Sequence, residues 1–213
     1  MRVYFIRHGS CLAAEADPPV HPLLSDPLSP GGMAQVLCLA KNLDCLNIDL
    51  LIASNVRRAQ QTAEIIAKHR SMPFTTSHLF NEWLMPKCIF GKSACDYPER
   101  YIRFRTARLL DRYAKYDDGE SLFEVISRVK ESKRYLSGLT CESVVVISHF
   151  NFIKFFAIDE MLPSEWSATA LLKTASDLDL AHTSMCLFHH DKHKNEFQCE
   201  FWNQQSERLD RHV

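Results

Sequence analysis

The 213-residue sequence lacks several features that would place it in a specialised class of protein. It has no run of about 20 apolar residues, which is the length that a membrane-spanning helix needs. Its formal net charge is -1, so it has no bulk positive charge with which to hold nucleic acid or an anionic membrane surface. No glycine-rich phosphate loop with its lysine is present. We therefore expect neither nucleic acid nor a membrane as a partner.

Cysteine occurs eight times, but no two cysteines have the Cys-x-x-Cys spacing. Several lie inside apolar runs, which favours buried free thiols over disulfides. No signal peptide precedes the first predicted strand. These features predict a cytoplasmic protein. The length and the 46% hydrophobic content fit one α/β domain over residues 1–213.

The first ten residues combine a short apolar strand with residues suited to binding an anion. Val3 to Ile6 form a brief apolar run, typical of a buried strand, and Arg7, His8 and Gly9 follow at once. In open α/β sheets, ligands bind outside the carboxyl ends of the strands. Glycine allows the backbone to approach a ligand closely. We therefore expect a phosphoryl-transfer site with His8 as the nucleophile.

A second apolar strand, residues 143–148 (SVVVIS), ends in a histidine in the same way. Since the carboxyl ends of parallel strands meet at one edge of a sheet, His8 and His149 are expected to lie together. Strands and helices alternate along the chain, which predicts a three-layer α/β/α fold with a mostly parallel sheet. Further strands are predicted at 48–53 and 73–77, helices at 29–43, 54–68, 99–116, 118–136, 152–162 and 164–173, and a hairpin at 183–203.

Four blocks of the sequence, in this order, resemble the histidine phosphatase superfamily, the phosphoglycerate mutase-like group. They are Arg7-His8-Gly9, residues 54–63 (SNVRRAQQTA), Asn81-Glu82 and Ser148-His149. The resemblance covers roughly residues 1–190. It implies a phosphatase that needs no metal or other cofactor and that forms a phosphohistidine on His8. Its partner would be a small phosphorylated substrate or a phosphoprotein.

The resemblance also implies roles for individual residues. Glu82 would donate a proton to the leaving oxygen. Arg7, Arg58 and a protonated His149 would stabilise the phosphoryl group, because arginine's planar fork suits paired phosphate oxygens. Arg57 does not align with the phosphate-binding position and is expected to be a surface charge.

Two positions near the histidines complete the predicted substrate-binding set. Gly9 follows the nucleophile, and Phe150 stands where the family has glycine after Ser-His. A phenylalanine there is expected to narrow the pocket. Residues 84–118 are expected to form a small helical cap that selects the substrate. Within this cap, an arginine row on one helix face has two interpretations, a second anion site or a solvated face; it comprises Arg105, Arg108 and Arg112.

Two alternative functions stay open at this point. One is a phosphoglycerate mutase-type phosphoryl transferase, although the loop after Arg-His-Gly lacks the Asn-rich pattern of true mutases. The other is a catalytically impaired phosphate-binding protein, which the phenylalanine at position 150 favours. The sequence gives no information about substrate identity or oligomeric state.

Overall fold

The computed structural model describes residues 1–162 and 166–205 and confirms the three-layer α/β/α fold with a mostly parallel sheet. The sheet has the order β3-β2-β4-β1-β5-β6. The first four strands pair in parallel, β5 runs antiparallel to β1, and β6 runs antiparallel to β5. The strands are β1 (Arg2–Arg7), β2 (Leu50–Ser54), β3 (Thr75–Ser77), β4 (Ser143–Ser148), β5 (Met185–Asp191) and β6 (Glu196–Gln204).

Seven α-helices occur in the described part of the chain, with short 3-10 turns between some of them. The predicted helix after Ser29 is confirmed: the serine hydroxyl accepts a hydrogen bond from the Gly32 N–H, and Pro30 is the first helical residue. The helices are α1 (Leu12–Glu15), α2 (Pro30–Asn42), α3 (Arg57–Arg70), α4 (Glu99–Ala107), α5 (Leu122–Ser137), α6 (Phe150–Asp159) and α7 (Ala168–Asp177).

The two faces of the sheet carry separate hydrophobic cores. Val3 and Phe5 of β1 join the core formed with α5, α6 and α7, whereas Tyr4 and Ile6 join the core formed with α2 and α3. Neighbouring side chains on a strand point to opposite faces, so a strand covered on both sides is apolar throughout. This double burial holds the ends of β1 and β4 rigidly beside each other.

The cap segment differs from its prediction. The helix predicted over 99–116 ends at Ala107. Beyond it the guanidinium of Arg108 stacks on Trp83, and that of Arg112 stacks on Trp166 and donates to its carbonyl oxygen. Because these two side chains hold the chain in a turn, the three cap arginines do not form one helical face.

Two other predictions need correction or fall partly outside the described residues. The eight cysteines are free, as expected, but only Cys11 and Cys186 are buried, because most of the others lie on exposed loops or edges. The helix predicted over 164–173 begins at Ala168, and residues 163–165 lie outside the described residues. Among the described residues no helix is both long and apolar enough to cross a membrane.

Candidate active site

A cavity of about 340 Å³ lies at the carboxyl ends of β1 and β4. The loop after β1 forms one wall, and the first turn of α6 forms another. Six charged or imidazole side chains line it together with mostly apolar side chains. The lining residues are Arg7, His8, Cys11, Ala14, His21, Pro22, Arg58, Glu82, Trp83, Met85, Phe150, Asn151 and His182.

His8 is held with one nitrogen free of a proton. Its Nδ1 lies 2.7 Å from the Gly9 carbonyl oxygen, and because a carbonyl only accepts, Nδ1 carries the hydrogen. Its Nε2 accepts a hydrogen bond of 3.1 Å from the Nε of Arg58. Burial, together with the positive charge of Arg58, lowers the pKa of His8 well below its usual value. The neutral imidazole therefore presents the lone pair of Nε2.

Two arginines surround this nitrogen. Arg58, the second residue of α3, also donates through Nη1 to the Leu23 carbonyl oxygen at 3.0 Å and so holds the loop after β1. Arg7 donates through Nη1 to the Leu180 carbonyl oxygen at 2.5 Å. Among the described residues, the buried Nε of Arg7 has no hydrogen-bond partner. Backbone carbonyl oxygens outside the cavity thus position both guanidinium groups. Each group keeps at least one N–H that can donate to a bound anion.

His149 lies next to His8, with ring centroids 5.0 Å apart, but it is fully buried behind the cavity wall. Asn81 Oδ1 accepts from the Asn55 N–H and from the Ser54 hydroxyl, each at 2.9 Å. The Ser54 proton is thereby used, so Nε2 of His149 donates to Ser54 at 2.7 Å. Nδ1 of His149 has no partner among the described residues.

The surroundings of His149 lower its pKa in the unliganded protein, and its predicted protonation during the reaction stays a prediction. Burial lowers its pKa well below the usual value, and the charges of Arg58, Arg128 and Arg7 lower it further. The neutral ring has a bare Nδ1 as its remaining site for a proton. A dianion bound beside it would favour protonation there, since an opposite charge stabilises the imidazolium.

Glu82 reaches the cavity while it caps a helix. Its Oε1 accepts from the N–H groups of Trp83 at 2.9 Å and Phe152 at 3.1 Å, and its Oε2 accepts from the Asn151 N–H at 3.3 Å. Two of these N–H groups belong to the first turn of α6. The carboxylate therefore satisfies otherwise unpaired donors and fixes α6 relative to the loop before it.

Arg128 holds the segment that carries Glu82, and sequence reasoning missed it. It donates to the backbone carbonyl oxygens of Leu79, Asn81 and Glu82. It also forms a two-point ion pair with Glu120 at 3.0 and 2.8 Å, and Glu120 accepts from the Leu84 N–H. Contacts with backbone carbonyl oxygens leave no pattern in a sequence. Only the segment Gly119-Glu120-Ser121 indicated that a site-orienting contact could lie here.

We expect Arg128→Met to lower the free energy of unfolding by about 3–5 kcal/mol, because it leaves the half-buried Glu120 without its partner and frees three carbonyl oxygens. Chemical denaturation measures this. Arg103→Met is the matched control, since its partner Glu99 and the arginine itself are exposed, and it should cost less than about 1 kcal/mol. Equal losses for the two variants would contradict the assignment.

His182 is a second residue that the sequence did not assign. In the sequence it precedes Thr183 and Ser184, with no pattern that marks it as a site residue. Its Nδ1 donates to the His8 carbonyl oxygen at 3.0 Å, and its Nε2 accepts from Arg7 at 3.0 Å, since arginine only donates. Burial and the Arg7 charge lower the pKa of His182 to about 4. The neutral ring therefore links Arg7 to the backbone of His8.

Gly9 does not line the cavity and has a packing role in this structure, whereas its contact with substrate stays a prediction. A Cβ at this position would lie 2.7 Å from Cγ2 of Val36 and 2.8 Å from the carbonyl oxygen of Gly32, both on α2. The Gly9 N–H donates to Thr62. The close approach is between α2 and the segment that follows β1. It positions the Gly9 carbonyl oxygen, which accepts the hydrogen bond from Nδ1 of His8.

Phe150 lines the cavity, as expected for a residue that narrows it. Its ring lies 4.8 Å from the guanidinium carbon of Arg7 and 3.7 Å from the ammonium of Lys154. Of the predicted cap, only Met85 lines this cavity. Arg105 and Arg108 line a different depression, and Arg57 forms an exposed ion pair with Glu64.

The fold and this cluster define an α/β protein with two histidines at the ends of neighbouring parallel strands, surrounded by arginines. A family model for the histidine phosphatase superfamily (branch 1) matches residues 3–205. The chain therefore belongs to the histidine phosphatase superfamily. Comparison with curated protein sequences gives no match.

Solved structures share the fold over nearly the whole chain. A putative alpha-ribazole-5'-P phosphatase from Escherichia coli is 20% identical, with a TM-score of 0.80, 96% of this chain covered and 97% of that one. A mycobacterial glucosyl-3-phosphoglycerate phosphatase in complex with VO3 is 18% identical, with a TM-score of 0.75 and coverage of 95% and 98%. A mutant phosphoserine phosphatase from Entamoeba histolytica in complex with phosphoserine is 18% identical, with a TM-score of 0.75 and coverage of 98% and 99%.

Proposed function

We propose that this protein is a metal-independent phosphatase that hydrolyses phosphomonoesters through a phosphohistidine on His8. The observation that carries the proposal is the state of His8. Its Nδ1 hydrogen is engaged by the Gly9 carbonyl, so the lone pair of Nε2 is available in a cavity that two arginines line. The similar structures named above are called phosphatases, which supports the same class of reaction here.

The chemistry suits a neutral nucleophile. A phosphate monoester carries nearly two negative charges at neutral pH, so it repels an anionic attacking group but not an imidazole. Nε2 of His8 attacks phosphorus in line while the bond to the leaving oxygen breaks. The transition state is loose and spreads charge over three equatorial oxygens. Arg7 and Arg58 stabilise that charge, and Arg58 moves its Nε contact from His8 to the phosphoryl group.

Two side chains, Glu82 and His149, take part in proton transfer. Glu82 is the residue in the cavity that gives a proton to the leaving alkoxide and later takes one from the attacking water. To do this it has to give up part of its capping of α6. His149 takes a proton at Nδ1 when the dianion binds, and the positive charge of its ring beside His8 then stabilises the phosphoryl group. Hydrolysis of the bond between phosphorus and Nε2 returns His8 to its starting state.

The test is to capture the intermediate. The enzyme is mixed with a generic 32P-labelled phosphomonoester in the presence of a chelator and quenched in base. We expect label on the protein that is stable in base and released in acid, as for a phosphohistidine, together with inorganic phosphate in solution. Label that returns to an acceptor alcohol instead of water would indicate the mutase-type reaction. Phosphate binding without label or turnover would indicate an impaired binding protein.

A further inference from the structure

Apart from Arg7 and Arg58, the described residues that line the cavity include no side chain that is positively charged near pH 7. Arg58 contacts His8 and Arg7 contacts His182, whereas Pro22, Trp83 and Met85 contribute apolar lining. His21 also lines the cavity, but burial and the Arg58 charge lower its pKa to about 4, so it is neutral near pH 7. The remaining carboxylate, Glu82, would repel a second anion.

A further cation lies directly behind Phe150. Lys154 is one turn further along α6, is 4% exposed and does not line the cavity. Its ammonium lies 3.7 Å from the centre of the Phe150 ring, which itself faces the cavity. Within the described residues Lys154 makes no direct ion pair, and Asp179 and Glu82 are the acidic groups that act on its charge. The ring thus separates a buried lysine from the cavity.

The cap arginines do not replace this cation. Arg105 and Arg108 line a separate depression, and Arg112 is held at Trp166. A second phosphate or carboxylate on the substrate would therefore lose its hydration without gaining a charged partner, which is costly in a half-closed site. An uncharged ring would instead pack against the apolar walls.

We propose that the cavity selects phosphomonoesters whose leaving group is uncharged and apolar, and that Phe150 determines this selectivity by covering the Lys154 ammonium. The inference rests on the proposed function for its substrate, but the selectivity is a property of binding. It assigns Phe150 as a specificity-determining residue at a position where the family resemblance implies glycine.

Binding of two phosphonates to the wild-type protein, measured by calorimetry, tests the inference without turnover. Benzylphosphonate has an uncharged ring, and 3-phosphonopropionate carries a carboxylate. We expect benzylphosphonate to bind about 10-fold or more tightly than 3-phosphonopropionate. Equal or reversed affinities would overturn the inference and leave the phosphatase proposal intact. Absence of phosphoenzyme and turnover would instead overturn the phosphatase proposal, and the affinity ratio would still decide the selectivity.

The role of Phe150 is tested with Phe150→Gly, which uncovers Lys154. We expect 3-phosphonopropionate binding to gain about 10–100-fold relative to benzylphosphonate, the range of a hydrogen bond to a charged group. The double variant Phe150→Gly/Lys154→Met should lose this gain, whereas Lys154→Met alone should leave the wild-type ratio unchanged. A gain that persists in the double variant would overturn the assignment of Lys154.

Discussion

His8→Ala is expected to abolish phosphate release, with kcat lower by about 10^4-fold or more, because Nε2 of His8 is the unprotonated nitrogen that Arg58 contacts in the cavity. The neighbouring His182 uses both ring nitrogens in hydrogen bonds, and Nδ1 of His149 is buried behind the wall. The measurement is release of inorganic phosphate from an aryl phosphate with chelator present.

The fold should survive this substitution. His8 makes two side-chain hydrogen bonds, with Gly9 and Arg58, and belongs to neither hydrophobic core. Its removal therefore leaves the packing of the sheet unchanged. His193→Ala, on the exposed turn between β5 and β6, is the control for loss of a histidine and should retain full activity. The His8→Ala protein should still bind a phosphonate through Arg7 and Arg58. Equal turnover by His8→Ala and wild type would exclude His8 as the nucleophile.

The sequence was sufficient to predict the fold because the sheet is covered on both faces. The centre of a strand such as β4 is then an unbroken apolar run, and a polar residue marks the end of the strand. The pairing of β1 with β4 placed His8 beside His149, as the parallel arrangement required. The end of α4 could not be predicted, because contacts of Arg108 and Arg112 with distant tryptophans decide it.

The site was predictable where a strand end or a family motif carries its residues. His8 and His149 follow buried strands, and the resemblance of residues 54–63 to the family motif pointed to Arg58. His182 and Arg128 act chiefly through backbone carbonyl oxygens of distant segments, and such contacts have no sequence pattern. The protonation of His149 also depends on burial and on three arginines that meet only in the folded chain, and these lower its pKa in the unliganded protein.

Gly32→Ala is expected to cause the second large effect, a loss of about 3 kcal/mol or more in the free energy of unfolding. A Cβ at Gly32 would lie 2.0 Å from the carbonyl oxygen of Ser10 and within 2.9 Å of two more of its backbone atoms. Backbone cannot rotate away as a long side chain can, so either α2 or the segment after β1 has to move. Urea denaturation measures the loss of stability.

The same displacement should also lower the catalytic rate. Ser10 follows Gly9, whose carbonyl holds the Nδ1 hydrogen of His8, so a shift of about 1 Å would misdirect Nε2 and lower kcat by roughly 10^2-fold in any protein that remains folded. The adjacent Gly31→Ala is the matched control, since its Cβ would approach only the flexible Glu15 carboxylate, at 3.2 Å. In a helix, alanine at Gly31 should stabilise by up to about 1 kcal/mol. If Gly32→Ala behaved like Gly31→Ala in both stability and kcat, the close contact between α2 and the segment carrying His8 would not be what positions the nucleophile.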